Sequence, residues 1–127
     1  MTGKLNKEIL DALLETLPAD ITFVDKDDIV RYYNKSEIFP RQPSVIGTKV
    51  QDCHSKKSQR EVNQILDDFK NNRRESVEQR IDRDNKKIYN RYFAVRDKNG
   101  NYLGCLEVTQ DITKIQRMQG KKNRKGS

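Results

Sequence analysis

The sequence predicts a single α+β domain built on a mostly antiparallel sheet. Three observations carry this prediction. Apolar positions recur at helical spacing in two separate stretches, and β-branched and aromatic residues gather into short runs broken by charged turn clusters. A length of 127 residues with 33% hydrophobic content suffices for one modest core and leaves no material for a second. A charged content of 35% surrounds that core with a heavily solvated surface.

The first helical stretch holds Leu10, Leu13, Leu14 and Leu17, with Asn6 as a cap before them and Pro18 closing the run because it lacks an amide donor. Such a stripe either covers a sheet face or pairs with a second copy of the chain, and a mixture of both is expected. Residues 20–25 and 29–33 then read as an antiparallel hairpin around the turn-like Lys26-Asp27-Asp28 cluster. Residues 34–39 fit one helical turn, and Pro40 and Pro43 keep the following segment irregular. Val62, Ile65, Leu66 and Phe69 mark a longer helix over about 55–71, with Arg60, Glu61, Asp67, Asp68 and Lys70 on its wet side. Residues 76–82, 87–96 and 102–108 follow as three strands of a meander, spaced by turns at 83–86 and 97–100. Thr113 and Gln116 have the spacing of a capping box for an outgoing helix carrying Ile115 and Met118.

The formal charge of +7 arises from 26 basic against 19 acidic residues. Part of the excess lies in the Gly120–Ser127 tail, and Lys56, Lys57, Arg60, Arg73 and Arg74 are followed by acidic residues that dilute the field. A solvated surface is therefore expected, and no nucleic-acid partner. Cys53 and Cys105 do not require a disulfide in a chain this long, which favours a reducing, cytoplasmic setting. No apolar stretch approaches bilayer length, so direct membrane insertion is not expected either.

Two stretches carry a family resemblance: Asp20–Asn34, and Ala94–Thr113 with its Asp-Lys-Asn-Gly turn, strand-like run and Asp-Ile-Thr exit. Together they resemble the opening hairpin and closing strands of a PAS domain. Leu17–Asp25, Ile38–Arg41, Gly47–His54 and Arg91–Arg96 resemble most closely the C-terminal PAS subgroup of bacterial and archaeal proteins that also carry a domain of unknown function and a hemerythrin-like domain. That subgroup often has proline where Ser55 stands here. The resemblance implies a five-stranded antiparallel sheet that encloses a small cavity with its helices, within a larger parent protein. It divides the chain into an N-terminal flanking helix (1–19), a PAS core (20–113), and an outgoing helix start with a partly disordered basic tail (114–127). The implied function is sensory or regulatory: a small ligand or a protein partner is bound and the signal leaves through the flanking helices. A haem-binding redox or gas sensor and a ligand-free dimerisation module are the alternatives.

Candidate site residues follow from this frame. His54, the only histidine, points toward the apolar interior or its rim if the long helix is extended backwards; an imidazole there suits either haem ligation or loop hydrogen bonding. Cys53 beside it adds a thiol whose reactivity depends on exposure and pKa, while Cys105 reads as a buried inert thiol. Tyr89, Arg91 and Phe93 share one side of their strand and line a cofactor cavity if that side faces inward; Tyr92 takes the other side. Leu10, Leu13, Leu14 and Leu17 are the expected homodimer interface. Asp111 and Thr113 are the expected junction between core and outgoing helix. The phosphate-cradling, nucleophile-elbow and paired-histidine patterns of enzymes are lacking, so no catalysis is expected. No resident metal is assigned, and the cofactor stays open, with haem one candidate.

Overall fold

A computed structural model describes residues 3–35 and 37–118. The basic end of the chain lies outside the described residues. The elements are helix α1 (Lys7–Thr16), strands β1 (Asp20–Asp25) and β2 (Val30–Tyr33), helix α2 (Lys56–Lys70), strands β3 (Ser76–Arg83), β4 (Lys86–Arg96) and β5 (Tyr102–Asp111), and a short helix α3 (Thr113–Gln116). Two 3₁₀ turns, Pro43–Val45 and Val50–Cys53, stand between β2 and α2. The strands form one antiparallel five-stranded sheet in the order β2-β1-β5-β4-β3, which places the chain's last strand at the centre.

Local chemistry explains most boundaries. Asn6 caps α1 by accepting a hydrogen bond from Ile9 N at 2.9 Å. In the β1–β2 turn, Asp25 Oδ1 accepts from Asp27 N and Ile29 N, so the acidic cluster there forms the turn. Asp84 and Asn85, both at positive φ, make the two-residue connection of the β3–β4 hairpin. Asp97 Oδ1 accepts from Asn99 N and Asn101 N in the last turn, and Gly100 supplies its φ of 86°.

Three expectations are corrected. Residues 34, 35 and 37–39 are bends or irregular chain, with no helical turn among them. Side chains take the amides that a helix would use: Asn34 Oδ1 accepts from Lys35 N, and Asp20 Oδ2 accepts from Ile38 N. Thr113 does not cap α3; Ile112 stands at the cap position, and Thr113 Oγ1 accepts from Lys87 N instead. Asp68 is not on the wet side of α2 but only 8% exposed. The chain doubles back at Asn72, whose φ is 59°, and brings Arg73 and Arg74 over it; each donates Nε to Asp68 at 2.8 Å, and Gln64 Nε2 adds a third bond.

The Arg73 hydrogen bond, aided by Gln64 and Arg74, holds the Asp68 carboxyl below the usual carboxylate range. A depressed folded-state pKa contributes stability that is present above the ordinary value, about 3.9 for aspartate, and is lost as pH falls through the folded value. Thermal melts should therefore show a shallower loss of Tm below about pH 4 in Asp68→Asn than in the parent. Equal slopes would mean that Asp68 is not titrating with the fold.

The core lies between α2 and the inner sheet face. Val24, Val30, Ile65, Leu66, Phe69 and Cys105 form its buried cluster. Helix α1 buries none of its own residues: Leu10, Leu13 and Leu17 remain 45%, 48% and 42% exposed. Leu14 alone of the stripe is half-buried, so within one chain the expected covering of the sheet is made at most in part. Asn34 holds the helix end, donating Nδ2 to Leu14 O and Ala19 O while its Oδ1 accepts from Ile21 N.

Candidate functional site

Strand alternation decides what faces α2. The registers Thr22↔Glu107, Val24↔Cys105, Tyr92↔Glu107 and Asn90↔Thr109 align Thr22, Val24, Asn90, Tyr92, Cys105, Glu107 and Thr109 on the inner face. That face divides into two halves. In the apolar half, Val24, Val50, Val62, Ile65, Leu66 and Cys105 surround a cavity of about 30 Å³, whose polar lining is His54, Tyr92 and Glu107.

The polar half adjoins the cavity through Glu107. Arg41, on the irregular segment after β2, donates Nη2 to Glu107 Oε1 at 2.8 Å and Nε to Thr22 Oγ1 at 3.0 Å. Glu107 Oε2 accepts from Asn90 Nδ2 at 2.9 Å, and the same amide reaches Thr109 Oγ1 at 2.8 Å. Gln79 Nε2 closes the chain by donating to Asn90 Oδ1 at 3.0 Å. Asn90 and Thr109 are fully buried, and the Arg41 and Glu107 side chains are only 20% and 15% exposed. A charge pair this dry persists because the network satisfies its remaining hydrogen-bonding capacity.

His54 reaches the cavity by a different route from the one predicted. Helix α2 does not extend back to it; Ser55 caps the helix, accepting from Ser58 N, and His54 is extended at the end of the second 3₁₀ turn. Burial, followed by the influence of Glu107, which opposes it, and Arg41, leaves the imidazole pKa below its ordinary value. Its neutral form is therefore favoured. Cys53 is exposed as a residue, but partial desolvation of its sulfur raises its pKa despite Arg41 nearby, the opposite of an activated thiol. Cys105 is buried, with its pKa pushed up to about 12 by desolvation.

Tyr89, Arg91 and Phe93 lie on the opposite sheet face, correcting the cavity assignment. The buried side of β4 is set by Ile88 and Asn90, so the odd-numbered positions turn away from α2. There the Arg91 guanidinium stacks 4.6 Å from the Tyr89 ring centroid and 5.4 Å from that of Phe93, and it donates Nη2 to Gln110. Asp111 and Thr113 meet at the end of β5: Asp111 Oδ1 accepts from Thr113 N and from Thr113 Oγ1, and Ile112 N donates to Lys87 O. These bonds, led by the Thr113 hydroxyl, hold the Asp111 carboxyl below its usual range and fasten the start of α3 to β4.

Comparison with known proteins decides the family. The PAS domain family matches residues 10–113. The chain belongs to the PAS family. A C-terminal domain from Streptococcus mutans is 35% identical over 94% of this chain and 94% of that one, with a TM-score of 0.88. The PAS domain of BvgS from Bordetella pertussis matches at 19% identity and TM-score 0.64, over 87% and 90% of the two chains. The Aer2 receptor of Vibrio cholerae, described as a dual PAS-heme oxygen sensor, matches at 15% identity and TM-score 0.51, over 75% and 95%. No curated protein matches the sequence.

PAS domains are non-catalytic sensory modules. Among the described residues no group of three or more His, Cys, Asp or Glu could hold a metal ion, and no helix is long and apolar enough to cross a membrane. The cavity as it stands is smaller than a haem. Although His54 offers a neutral imidazole, about 30 Å³ admits one or two waters, whereas pockets for larger organic ligands run from about 300 Å³ upward. Sequence reasoning missed Arg41, Thr22, Asn90 and Glu107. A charged residue at the same strand parity as Cys105 is the available signal for Glu107.

Proposed function

We propose that this PAS domain is a regulatory module that self-associates through α1 and passes changes in its cavity to the rest of a larger parent protein through its flanking helices. The observation that carries this reading is the α1 stripe. A soluble helix with Leu10, Leu13 and Leu17 all in solvent loses hydrophobic stabilisation that a second copy can restore. A homodimer through Leu10, Leu13, Leu14 and Leu17 is the assembly that supplies it. The likeness to a C-terminal domain from Streptococcus mutans supports a position at the end of a multidomain protein. The narrower tie to hemerythrin-bearing parents rests on the sequence resemblance. A cytoplasmic setting agrees with two free cysteines.

The two ends of the device are physically joined. Glu107 at the cavity and Asp111 at the junction lie on the same central strand, so a shift of β5 at one reaches the other through a continuous backbone ladder. A small polar molecule is the natural input, and α3 the output.

Leu13→Asp is the test of self-association. Burying one leucine is worth roughly 1.5–3 kcal/mol, and a two-fold interface counts the change twice, so Kd should rise by a hundredfold or more, to order of magnitude. Multi-angle light scattering should show a dimeric parent and a monomeric Leu13→Asp with the same helical circular dichroism. A parent that is monomeric at tens of micromolar concentration, to order of magnitude, would remove the α1 dimer.

A further inference from the structure

The Arg41–Glu107 pair bears on what this cavity can bind, on the reading that the domain senses a small molecule. The cavity alone, at about 30 Å³, holds no organic ligand, so a ligand must displace something. Arg41 is the neighbour placed to leave. It sits on a segment without regular secondary structure, between two exposed positions, Pro40 and Gln42. Besides its own two hydrogen bonds, the ties seen between residues 37–42 and the sheet among the described residues are Ile38 N on Asp20 and the Arg83 guanidinium over the Phe39 ring.

What Arg41 would leave behind is specific. The Glu107 carboxylate, 15% exposed and backed by Asn90 and Thr109, would keep one oxygen bonded and lose the cation at the other, beside the buried Thr22 hydroxyl. An uncompensated carboxylate in so dry a place is costly, so neutral or anionic ligands cannot replace Arg41 without penalty. A planar cation with two N–H donors can, because the Nη2–Glu107 and Nε–Thr22 bonds define the geometry of such a fork. The cavity wall of Val24, Cys105 and Leu66 lies next to Glu107, so the space vacated by the Arg41 side chain together with the cavity is where a short apolar tail would lie.

We propose that Glu107 and Thr22 form a recognition site for a short alkylguanidinium or alkylamidinium ligand, held closed by the domain's own Arg41 guanidinium. Binding exchanges one planar cation for another and frees the 37–42 segment.

The probe is n-butylguanidinium, with n-butylurea as its neutral counterpart of matching shape, titrated by calorimetry into the parent, Arg41→Met and the Arg41→Met/Glu107→Gln double variant. Because apparent affinity scales with the fraction of molecules whose site is free, removing the internal competitor should tighten binding by roughly tenfold or more over the parent. Adding Glu107→Gln should abolish that gain, and butylurea should show no gain in any protein. Equal affinity in the parent and Arg41→Met, or equal affinity with and without Glu107, would overturn the proposal. Should Arg41→Met fail to fold, the parent answers alone. The Arg41 Nε–H resonance should lose its protection from exchange as butylguanidinium saturates, and an unchanged resonance at saturation would overturn the proposal as well. A parent that is dimeric but indifferent to butylguanidinium sinks this proposal and leaves the α1 reading standing; a monomeric parent that binds it does the reverse.

Discussion

Phe69→Ala should cost roughly 3–5 kcal/mol, the range for truncating a fully buried aromatic. Phe69 is the most enclosed large side chain of the core, at 0% exposure, and it occupies the last turn of α2, where the helix meets Val24, Val30 and Cys105. Its loss leaves a cavity at a place that cannot readily collapse. The Phe69 carbonyl accepts from Arg96 Nη2 at 2.6 Å, and Asp68 beside it is fixed by Arg73 and Arg74, so the end of the helix is pinned from two directions. Because a domain of this size is stable by only about 5–15 kcal/mol, the variant should be marginal at 37 °C. Urea denaturation should show a large drop in midpoint with an unchanged m-value. A change below about 1 kcal/mol would mean that α2 repacks freely on the sheet.

The burial of Phe69 is legible in the amino-acid pattern alone, because Val62, Ile65, Leu66 and Phe69 share a helix face whatever that helix packs against. The β1–β2 and β3–β4 turns are legible for a similar reason: Asp and Asn tolerate positive φ and bond their own backbone, and these are local properties. The cavity side of β4 is not. Tyr89, Arg91 and Phe93 look like a pocket lining and Ile88, Asn90 and Tyr92 do not, yet the second set faces inward. A period-two pattern fixes which residues go together and leaves open which side is buried when both sides carry aromatics. Asn90 can be read as interior only together with its partners Gln79, Thr109 and Glu107, contributed by two other strands. The Arg41–Glu107 pair spans 66 positions and depends on an irregular segment, so no local signal announces it. The burial of Asp68 is hidden for a related reason: helical periodicity places it correctly on α2, but the two arginines that permit its burial arrive only after the chain reverses at Asn72.

Gly104→Ala should be the most damaging single-methyl change in the sheet. A Cβ at this position would stand 2.2 Å from the Val24 carbonyl oxygen and 2.6 and 2.8 Å from two carbons of the Phe23 ring. Gly104 pairs with Asp25 where β1 meets β5, so relief requires the two central strands to separate or Phe23 to leave its place over the glycine. Overpacking of this kind costs about 1–3 kcal/mol where side chains can yield, and a backbone oxygen yields less, so a loss near or above 3 kcal/mol is expected. The contributions separate experimentally. Phe23→Ala removes the ring contacts and leaves the carbonyl contact, so a double-mutant cycle of Phe23→Ala with Gly104→Ala reports how much of the cost is backbone. If the carbonyl contact and the strain of alanine at the Gly104 φ of 156° dominate, the Gly104→Ala penalty persists in the Phe23→Ala background. Gly47→Ala is the control, because Gly47 has a φ of 91° but nothing within 4 Å of its Cβ position, so it measures conformational strain without collision. Equal losses at positions 104 and 47 in chemical denaturation would show that the close approach of Val24 and Phe23 is not what demands glycine at the centre of this sheet.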